Sequence, residues 1–392
     1  MEAEPSKFTQ EIELIIYFRT NMIYKTGWAY LILLLSLGFT CAKKGTSSSE
    51  NSRSVSLTTI PMDTLLYTSG IRAIFQDSKG NYWFGSNYEG VCCFDGAHFR
   101  YFTTEDGLSG NQVFSIQEDQ YGTIWLDTRA GVSSFDGQVM TNHQVFCKEP
   151  SHELHKELIS GKDQSVWEKT ENDLWFNAGN REGVFRYDGQ NGYYLPFPNP
   201  LGPLSGNIHS VTGFSKGQGM IWMSTYAGVF GYNGSELTAI TDETIEFLEP
   251  IDQLHVRSIL EDSKGRLWIG NNGIGVILKE GDSYRHFSKE MGALCLSNQF
   301  IEIDQRKHLV KYTGLASVFA IEEDSKGAIW FGDRDTGAWR YDGTHLSNYI
   351  IDKKHSSHMI WCIYEDPQQN LLFGMAEGGV YRFNGTSFER WL

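Results

Sequence analysis

The chain has 392 residues and a formal net charge of -15 at pH 7. This charge excludes nucleic acid as the expected partner, because surfaces that bind a phosphate backbone are cationic. Charged residues make up 21% and aromatic residues 14% of the chain, a balance that excludes a disordered protein. The 41 glycines beside these aromatics favour many short strands joined by tight turns.

The N-terminal segment has the pattern of an export signal. Residues 28–39 form an apolar run behind Lys25, shorter than the ~20 apolar residues that span a bilayer. Cys41 follows directly, and a Ser/Thr/Lys-rich stretch comes next, as in a bacterial lipoprotein signal. We expect residues 1–41 to be a signal segment lipidated at Cys41, with translation beginning at Met22. The protein would then be an exported, periplasmic or outer-membrane lipoprotein. The alternative is an ordinary signal peptide or a short anchor.

Beyond a tether of residues 42–67, which could also supply a closing strand, the chain repeats itself. Residues 113–137 and 318–343 share an apolar strand, an acidic turn with glycine, an Ile-Trp strand and a Gly-bounded third strand. The pattern occurs seven times, and two glycines six residues apart bound the third strand of every copy. The Trp position is occupied in order by Trp83, Trp125, Trp175, Trp222, Trp268, Trp330 and Leu372.

Each copy predicts about four antiparallel strands. Asp-Gly and Asn-Gly pairs, such as Asp95-Gly96, predict two-residue type I′ hairpins between the third and fourth strands, because both residues tolerate positive φ. One such sheet cannot bury both of its faces, whereas sheets stacked radially bury one another. The predicted fold class is therefore all-β. Residues 68–392 form a seven-bladed β-propeller of four-stranded antiparallel blades, with the tryptophans between blades.

The repeats resemble those of the two-component regulator propeller family. The resemblance is carried by residues 259–270, ILEDSKGRLWIG, and residues 183–189, GVFRYDG. It implies the extracytoplasmic sensor half of a histidine kinase, often one that senses carbohydrate, and it carries over no catalytic residue. No kinase region or membrane-spanning segment follows the repeats in this sequence, so this chain is not expected to signal across a membrane alone.

A binding site is expected on the face that carries the long inter-blade connections. These are residues 143–161, 196–207, 241–255, 288–316 and 352–358, and variable loops on a rigid scaffold commonly hold binding sites. The first strands begin on this face, and their predicted first residues are Arg72, Asn111, His209, Arg257, Phe319 and Trp361. The candidate ligand-binding residues are Arg72, Tyr88, Glu89, Asn111, Arg129, Arg181, His209, Tyr226, Arg257, Asn272, Arg334 and Trp361. Aromatic, arginine and carboxylate groups around a funnel suit a sugar or a small polar ligand. Solvated ion pairs on a rim are the alternative.

Neither a cofactor nor a metal is expected, because the sequence has no HExxH motif and no cysteine cluster. Cys92 and Cys93 are neighbours on a predicted strand, so they should face opposite sides as packing residues. Cys147 and Cys295 lie in long connections and could pair.

The expected function is non-catalytic recognition of a glycan or a partner protein, with the insertion at residues 288–316 as a possible docking arm. One alternative is a lyase or hydrolase whose His209, Arg257 and Glu89 meet at the funnel mouth. Another is a scaffold without a small ligand. Convergence of the three groups on one empty position would favour the enzyme.

Overall fold

The computed structural model describes residues 65–143, 172–178, 183–197, 211–234, 237–248, 253–303 and 306–392. Cys41, the tether and the possible closing strand before residue 65 lie outside this part of the chain. No helix within the described residues is long and apolar enough to cross a membrane.

The chain folds as a seven-bladed β-propeller, and each blade is one continuous stretch of antiparallel strands. Blade 1 consists of β1 Ile71–Gln76, β2 Tyr82–Ser86, β3 Val91–Phe94 and β4 Phe99–Phe102. Blade 2 consists of β5 Val113–Glu118, β6 Ile124–Thr128, β7 Gly131–Phe135 and β8 Met140–His143. Blade 3 is described as three strands, β9 Leu174–Asn177, β10 Gly183–Tyr187 and β11 Gly192–Pro196.

The remaining blades follow the same order. Blade 4 has β12 Val211–Lys216, β13 Ile221–Thr225, β14 Gly228–Tyr232 and β15 Leu237–Ile240. Blade 5 has β16 Val256–Glu261, β17 Leu267–Asn271, β18 Val276–Glu280 and β19 Ser283–Arg285. An insertion follows, formed by helix α1 Phe287–Glu290 and strands β20 Leu294–Ile303 and β21 Arg306–Gly314. Blade 6 has β22 Val318–Glu323, β23 Ile329–Asp333, β24 Gly337–Tyr341 and β25 Leu346–Tyr349. Blade 7 has β26 Ile360–Glu365, β27 Leu371–Met375, β28 Val380–Phe383 and β29 Phe388–Arg390. Short 3-10 turns occupy Thr104–Asp106 and Asp242–Thr244.

Where both are described, the first strands of neighbouring blades contact one another, so they surround the centre of the ring. The predicted all-β propeller is thus confirmed, and the six described first strands begin at the mouth of one central channel.

The recurring tryptophans fill the space between blades, as predicted. Their exposed fractions, and that of Leu372, are at most 8%. The ring centroid of Trp268 lies 5.6 Å from that of Phe331 in the next blade, and Trp330 lies 5.4 Å from Phe373. A buried aromatic side chain removes about 150–250 Å² from water, so this row supplies much of the inter-blade core.

The aspartate of the repeated acidic turn binds the tryptophan of its own blade. In blades 1, 2, 5 and 6 the indole Nε1 donates to this carboxylate over 2.8–2.9 Å, and the other oxygen accepts two backbone N–H groups of the turn. In blade 7, where Leu372 replaces tryptophan, Asp366 accepts the hydroxyl of Tyr82 from blade 1 instead. These carboxylates are therefore structural, because their hydrogen bonds hold the turn and the core together.

The glutamate before that aspartate joins adjacent blades. The carboxylates of Glu118, Glu323 and Glu365 each accept both the backbone N–H and the hydroxyl of a turn serine in the preceding blade. The donor–acceptor distances are 2.6–3.0 Å. The Glu-Asp pair of the repeat thus has two separate roles, one between blades and one within a blade.

The turn between the third and fourth strands differs from the predicted type I′ geometry. The seven glycines that close the third strands have φ between 55° and 103°, but Gln369 is the one non-glycine residue with positive φ in the described chain. In blade 1, Gly96 and Ala97 are the central residues, and Asp95 precedes them and accepts the N–H groups of Ala97 and His98. Positive φ at the first central position alone is the type II′ pattern. The I′ prediction is wrong because the aspartate caps the turn from outside it.

The insertion before blade 6 forms a β-hairpin, where a loop was expected from the sequence. Strands β20 and β21 pair from Leu294 opposite Gly314 to Ile303 opposite Arg306. At its base, Phe287 is buried with its ring centroid 4.9 Å from that of Trp268. The hairpin is therefore attached to the core between blades 5 and 6.

The cysteine prediction holds for the adjacent pair on β3. Cys92 packs in the cluster that joins blades 7 and 1, and Cys93 packs in the cluster that joins blades 1 and 2. Cys295 is an exposed free thiol on β20, and Cys147 lies outside the described residues.

Candidate functional site

A β-bulge at the start of each of the six described first strands directs one side chain toward the centre of the ring. In all six blades whose first strand is described, the pairing register shifts between the first and third residues. The second residue is therefore unpaired in the ladder and free to turn away from the sheet. These six residues are half-buried and line one cavity: Arg72, Phe114, Thr212, Arg257, Phe319 and Trp361.

The cavity has a volume of about 680 Å³. This lies within the ~300–1,000 Å³ of typical small-molecule sites. Its wall continues onto the loops that follow the second strands, where Arg129 and Tyr226 lie, and onto the ends of those strands at Asp127 and Asn177. The lining thus combines aromatic faces, cations and polar groups.

Four of the bulge residues form a cation–aromatic arc across blades 1, 7, 6 and 5. The Arg72 guanidinium carbon lies 4.2 Å from the ring centroid of Trp361. The Trp361 and Phe319 rings meet edge to face, with centroids 5.5 Å apart. The Arg257 guanidinium carbon lies 4.4 Å from the Phe319 centroid. Each arginine is thereby held at one end of an aromatic pair.

Two further rings extend the arc. Phe114 lies on the other side of Arg72, with its centroid 4.9 Å from the guanidinium carbon. Tyr226 lies beside Arg257 at 5.1 Å. Both guanidinium groups are therefore flanked by two aromatic rings, and this restricts their orientation without neutralising their charge.

Burial, and after it the nearby charge of Arg257, lower the pKa of Arg72 to about 10. Arg72 donates one hydrogen bond of 3.0 Å to the amide oxygen of Asn87, which also accepts from Gln112. Among the described residues Arg257 makes no side-chain hydrogen bond, so its donors are open to the cavity.

A buried carboxyl forms another part of the lining. Asp127 is 1% exposed, and its Oδ2 accepts the backbone N–H of Asn177 over 2.9 Å. Its Oδ1 has no partner within the described residues. Burial raises the pKa of Asp127 to about 8, so the group is largely protonated near neutral pH.

Three segments of the chain, residues 68–88, 107–130 and 250–273, match the family model described as Two component regulator propeller. These three segments carry the repeat that this model describes. A curated relative, Histidine kinase P4 from Formosa agariphila, is 46% identical over 39 residues, which cover 10% of this chain and 3% of the kinase.

Two solved structures illustrate the likeness of fold. One is the extracellular domain of a putative hybrid two component system from B. thetaiotaomicron, with TM-score 0.54, 18% identity, and coverage of 85% of this chain and 39% of that chain. The other is virginiamycin B lyase from Staphylococcus aureus, with TM-score 0.53, 14% identity, and coverage of 81% and 95%. The propeller therefore spans well under half of the first structure and a small part of the kinase.

The propeller brings five of the twelve candidate residues together around the cavity, and these are Arg72, Arg129, Tyr226, Arg257 and Trp361. Arg181 and His209 lie outside the described residues. The other five, Tyr88, Glu89, Asn111, Asn272 and Arg334, are not part of the lining.

Hydrogen bonds explain the position of most of these five. Glu89 accepts the backbone N–H groups of Thr68 and Ser69 at 3.0 and 2.8 Å. Asn111 accepts the N–H of Thr104. On the rim, Arg334 pairs with Asp335 and donates to Asn272. Tyr88 is 67% exposed.

Four residues of the lining, Phe114, Thr212, Asp127 and Asn177, were not predicted from the sequence. Asn111 and His209 were expected at the starts of their first strands, but the bulge register places Phe114 and Thr212 there. A signal was present, because a buried Ile or Val precedes each bulge residue: Ile71, Val113, Val211, Val256, Val318 and Ile360. Asp127 carried no such signal, since its burial depends on packing against blade 3.

Proposed function

We propose that this chain is a non-catalytic, exported sensor-type propeller that binds a glycan in its central cavity. The observation that carries the proposal is the pairing of aromatic faces with open hydrogen-bond donors in one concave site. Trp361, Phe319 and Tyr226 offer faces against which an apolar sugar face can pack, and Arg257 offers donors to hydroxyl or acidic groups.

The sensor role is supported by the matched repeats and by the fold likeness to an extracellular domain of a two component system. Export and anchoring through a lipid on Cys41 are part of the same proposal, because such a domain meets its ligand outside the cytoplasm. A glycan ligand is inferred from the chemistry of the cavity.

The enzyme alternative draws on the shared fold of the lyase, but its proposed groups are not assembled in the described chain. The Glu89 carboxylate accepts the backbone N–H groups of Thr68 and Ser69, and Glu89 is not part of the cavity lining that includes Arg257. A lyase would need a base and a charge stabiliser at one position. We therefore favour binding without turnover.

A thermal-shift screen of the purified protein against neutral and acidic oligosaccharides tests the proposal. A saturable rise in melting temperature with one sugar class is expected, because a ligand specific for the folded state raises apparent stability. Tyr226→Ala and Arg257→Ala should reduce the shift, whereas Tyr88→Ala, an exposed aromatic outside the lining, should preserve it. If no saccharide binds, the glycan proposal fails, and capture of a partner protein becomes the next experiment.

A further inference from the structure

The described lining of the central cavity has a charge opposite in sign to that of the whole chain. Its described lining carries four cationic side chains, Arg72, Arg129, Lys216 and Arg257, against the single carboxyl of Asp127. The whole chain has a net charge of -15. A cationic concavity in an acidic protein focuses its field on anions that enter it.

The two arginines of the arc lack the partners that other arginines in this propeller have. Arg186 is buried and pairs with Asp173 over 2.7 Å, and Arg266 pairs with Asp262 over 2.7 Å. Within the described chain, no carboxylate pairs with Arg72 or Arg257, and Arg72 is destabilised by both burial and Arg257. An uncompensated pair of half-buried cations costs free energy that an anion would recover.

Asp127 does not serve as that partner. Its Oδ2 accepts the backbone N–H of Asn177, and its Oδ1 has no hydrogen-bond partner within the described residues, so it pairs with neither arginine of the arc. The anion that would complete the arc must therefore come from outside the described chain.

The aromatic contacts orient the arginines for this task. A guanidinium has five N–H donors in one plane, and a ring against its face leaves the donors at its edge. Arg72 uses one donor on Asn87, and Arg257 has all of its donors available in the described structure. Carboxylate and sulfate groups match such an edge with two parallel hydrogen bonds.

We propose that Arg72 and Arg257 form an anion subsite that selects glycans bearing a carboxylate or sulfate group, with the sugar ring packed against Trp361 and Phe319. This inference rests on the proposed function, since it names the chemical class of the ligand in the same cavity. Because the Trp361–Phe319 pair lies between the two arginines, the surface for an apolar sugar face is next to the donors for an anionic group.

The test is calorimetric titration of the full-length protein with three probes: galacturonate oligomers, galactose 6-sulfate and neutral galactose oligomers. Acidic probes should bind at least about 10-fold more tightly than neutral ones, since a charge-assisted hydrogen bond exceeds a neutral one by about that factor. Binding should weaken as salt is raised. The first two probes distinguish carboxylate from sulfate as the recognised group.

Arg257→Gln should weaken binding of the acidic probe about 10-fold or more. Arg334→Gln is the matched control, because this arginine lies on the rim and already pairs with Asp335. A second measurement uses inorganic sulfate, which should raise the melting temperature of the wild type more than that of Arg257→Gln. The general salting effect of sulfate is common to both proteins and cancels in the comparison.

Equal binding of neutral and acidic probes, or acidic binding that Arg257→Gln leaves unchanged, would overturn the anion subsite while the proposed glycan-binding function survives. Absence of binding by every saccharide, with equal sulfate responses in wild type and variant, would overturn both.

Discussion

Replacing Asp127 with asparagine should make the free energy of unfolding less dependent on pH. Burial raises the pKa of this carboxyl from 3.8 to about 8. In the unfolded chain the group ionises near pH ~4. Between these values the folded protein therefore holds a proton that the unfolded chain has lost, and stability falls as pH rises. The contribution is fully present below the unfolded pKa and is lost as the pH rises through the folded pKa.

The size of the effect follows from the linkage relation. Each pH unit in this window costs about 1.4 kcal/mol for one such group, so the wild type should lose about 3 kcal/mol through Asp127 between pH 5 and 7.5. Asp127→Asn removes the ionisation and retains an oxygen that can accept the Asn177 N–H. Between pH 5 and 7.5 the variant should therefore lose about 3 kcal/mol less of its unfolding free energy than the wild type does.

Urea denaturation of both proteins at several values between pH 5 and 7.5 measures the difference. Asp136→Asn is the control, because Asp136 is an exposed turn carboxyl whose pKa is lowered by the N–H groups of Val139 and Gln138. It is already ionised throughout this window, so its variant should run parallel to the wild type. Parallel wild-type and Asp127→Asn curves would refute a protonated, buried Asp127.

Three further predictions concern the frame and the anchor. Asp119→Ala removes an acceptor of the Trp125 indole and of two turn N–H groups, so it should lower the free energy of unfolding by about 3 kcal/mol, against about 1 kcal/mol for Asp136→Ala at an exposed turn. Equal losses by urea denaturation would contradict a stabilising hydrogen bond between the Trp125 indole and Asp119. Gly90→Ala should lower the melting temperature measured by calorimetry, because φ is 89° and a Cβ would lie 2.1 Å from the carbonyl oxygen of Phe102; an unchanged melting temperature would show that the turn can relax. Labelled palmitate fed to expressing bacteria should enter the wild type and not Cys41→Ala, and equal labelling would contradict lipidation at that residue.

The blades could be predicted from sequence because their signals are local and repeated. Each closing glycine adopts positive φ within its own hairpin, and each tryptophan finds its aspartate six residues earlier in four blades. The turn type was harder to predict, because an Asp-Gly pair does not show whether the aspartate is a central residue of the turn or the residue before it. In blade 1 Asp95 is the residue before the turn, and its carboxylate accepts the N–H groups of Ala97 and His98.

The cavity was less predictable because its residues meet across the ring. Arg72 and Trp361 come from blades 1 and 7, and no periodic signal links them. In blade 2 the position predicted from sequence, Asn111, lies three residues before the bulge residue Phe114, because the start of the strand and its bulge leave no periodic signal. The burial of Asp127 depends on the backbone of blade 3, which sequence alone does not place.

The same geometry gives the cavity a mechanical consequence. Blades 1 and 7 are farthest apart in the sequence, and no inter-blade connection bridges them within the described residues, so their contact is a seam held by side chains such as Tyr82 and Asp366. Arg72 and Trp361 lie on opposite sides of that seam. A ligand that contacts both residues would link the two blades, and its binding free energy would oppose separation of blade 1 from blade 7.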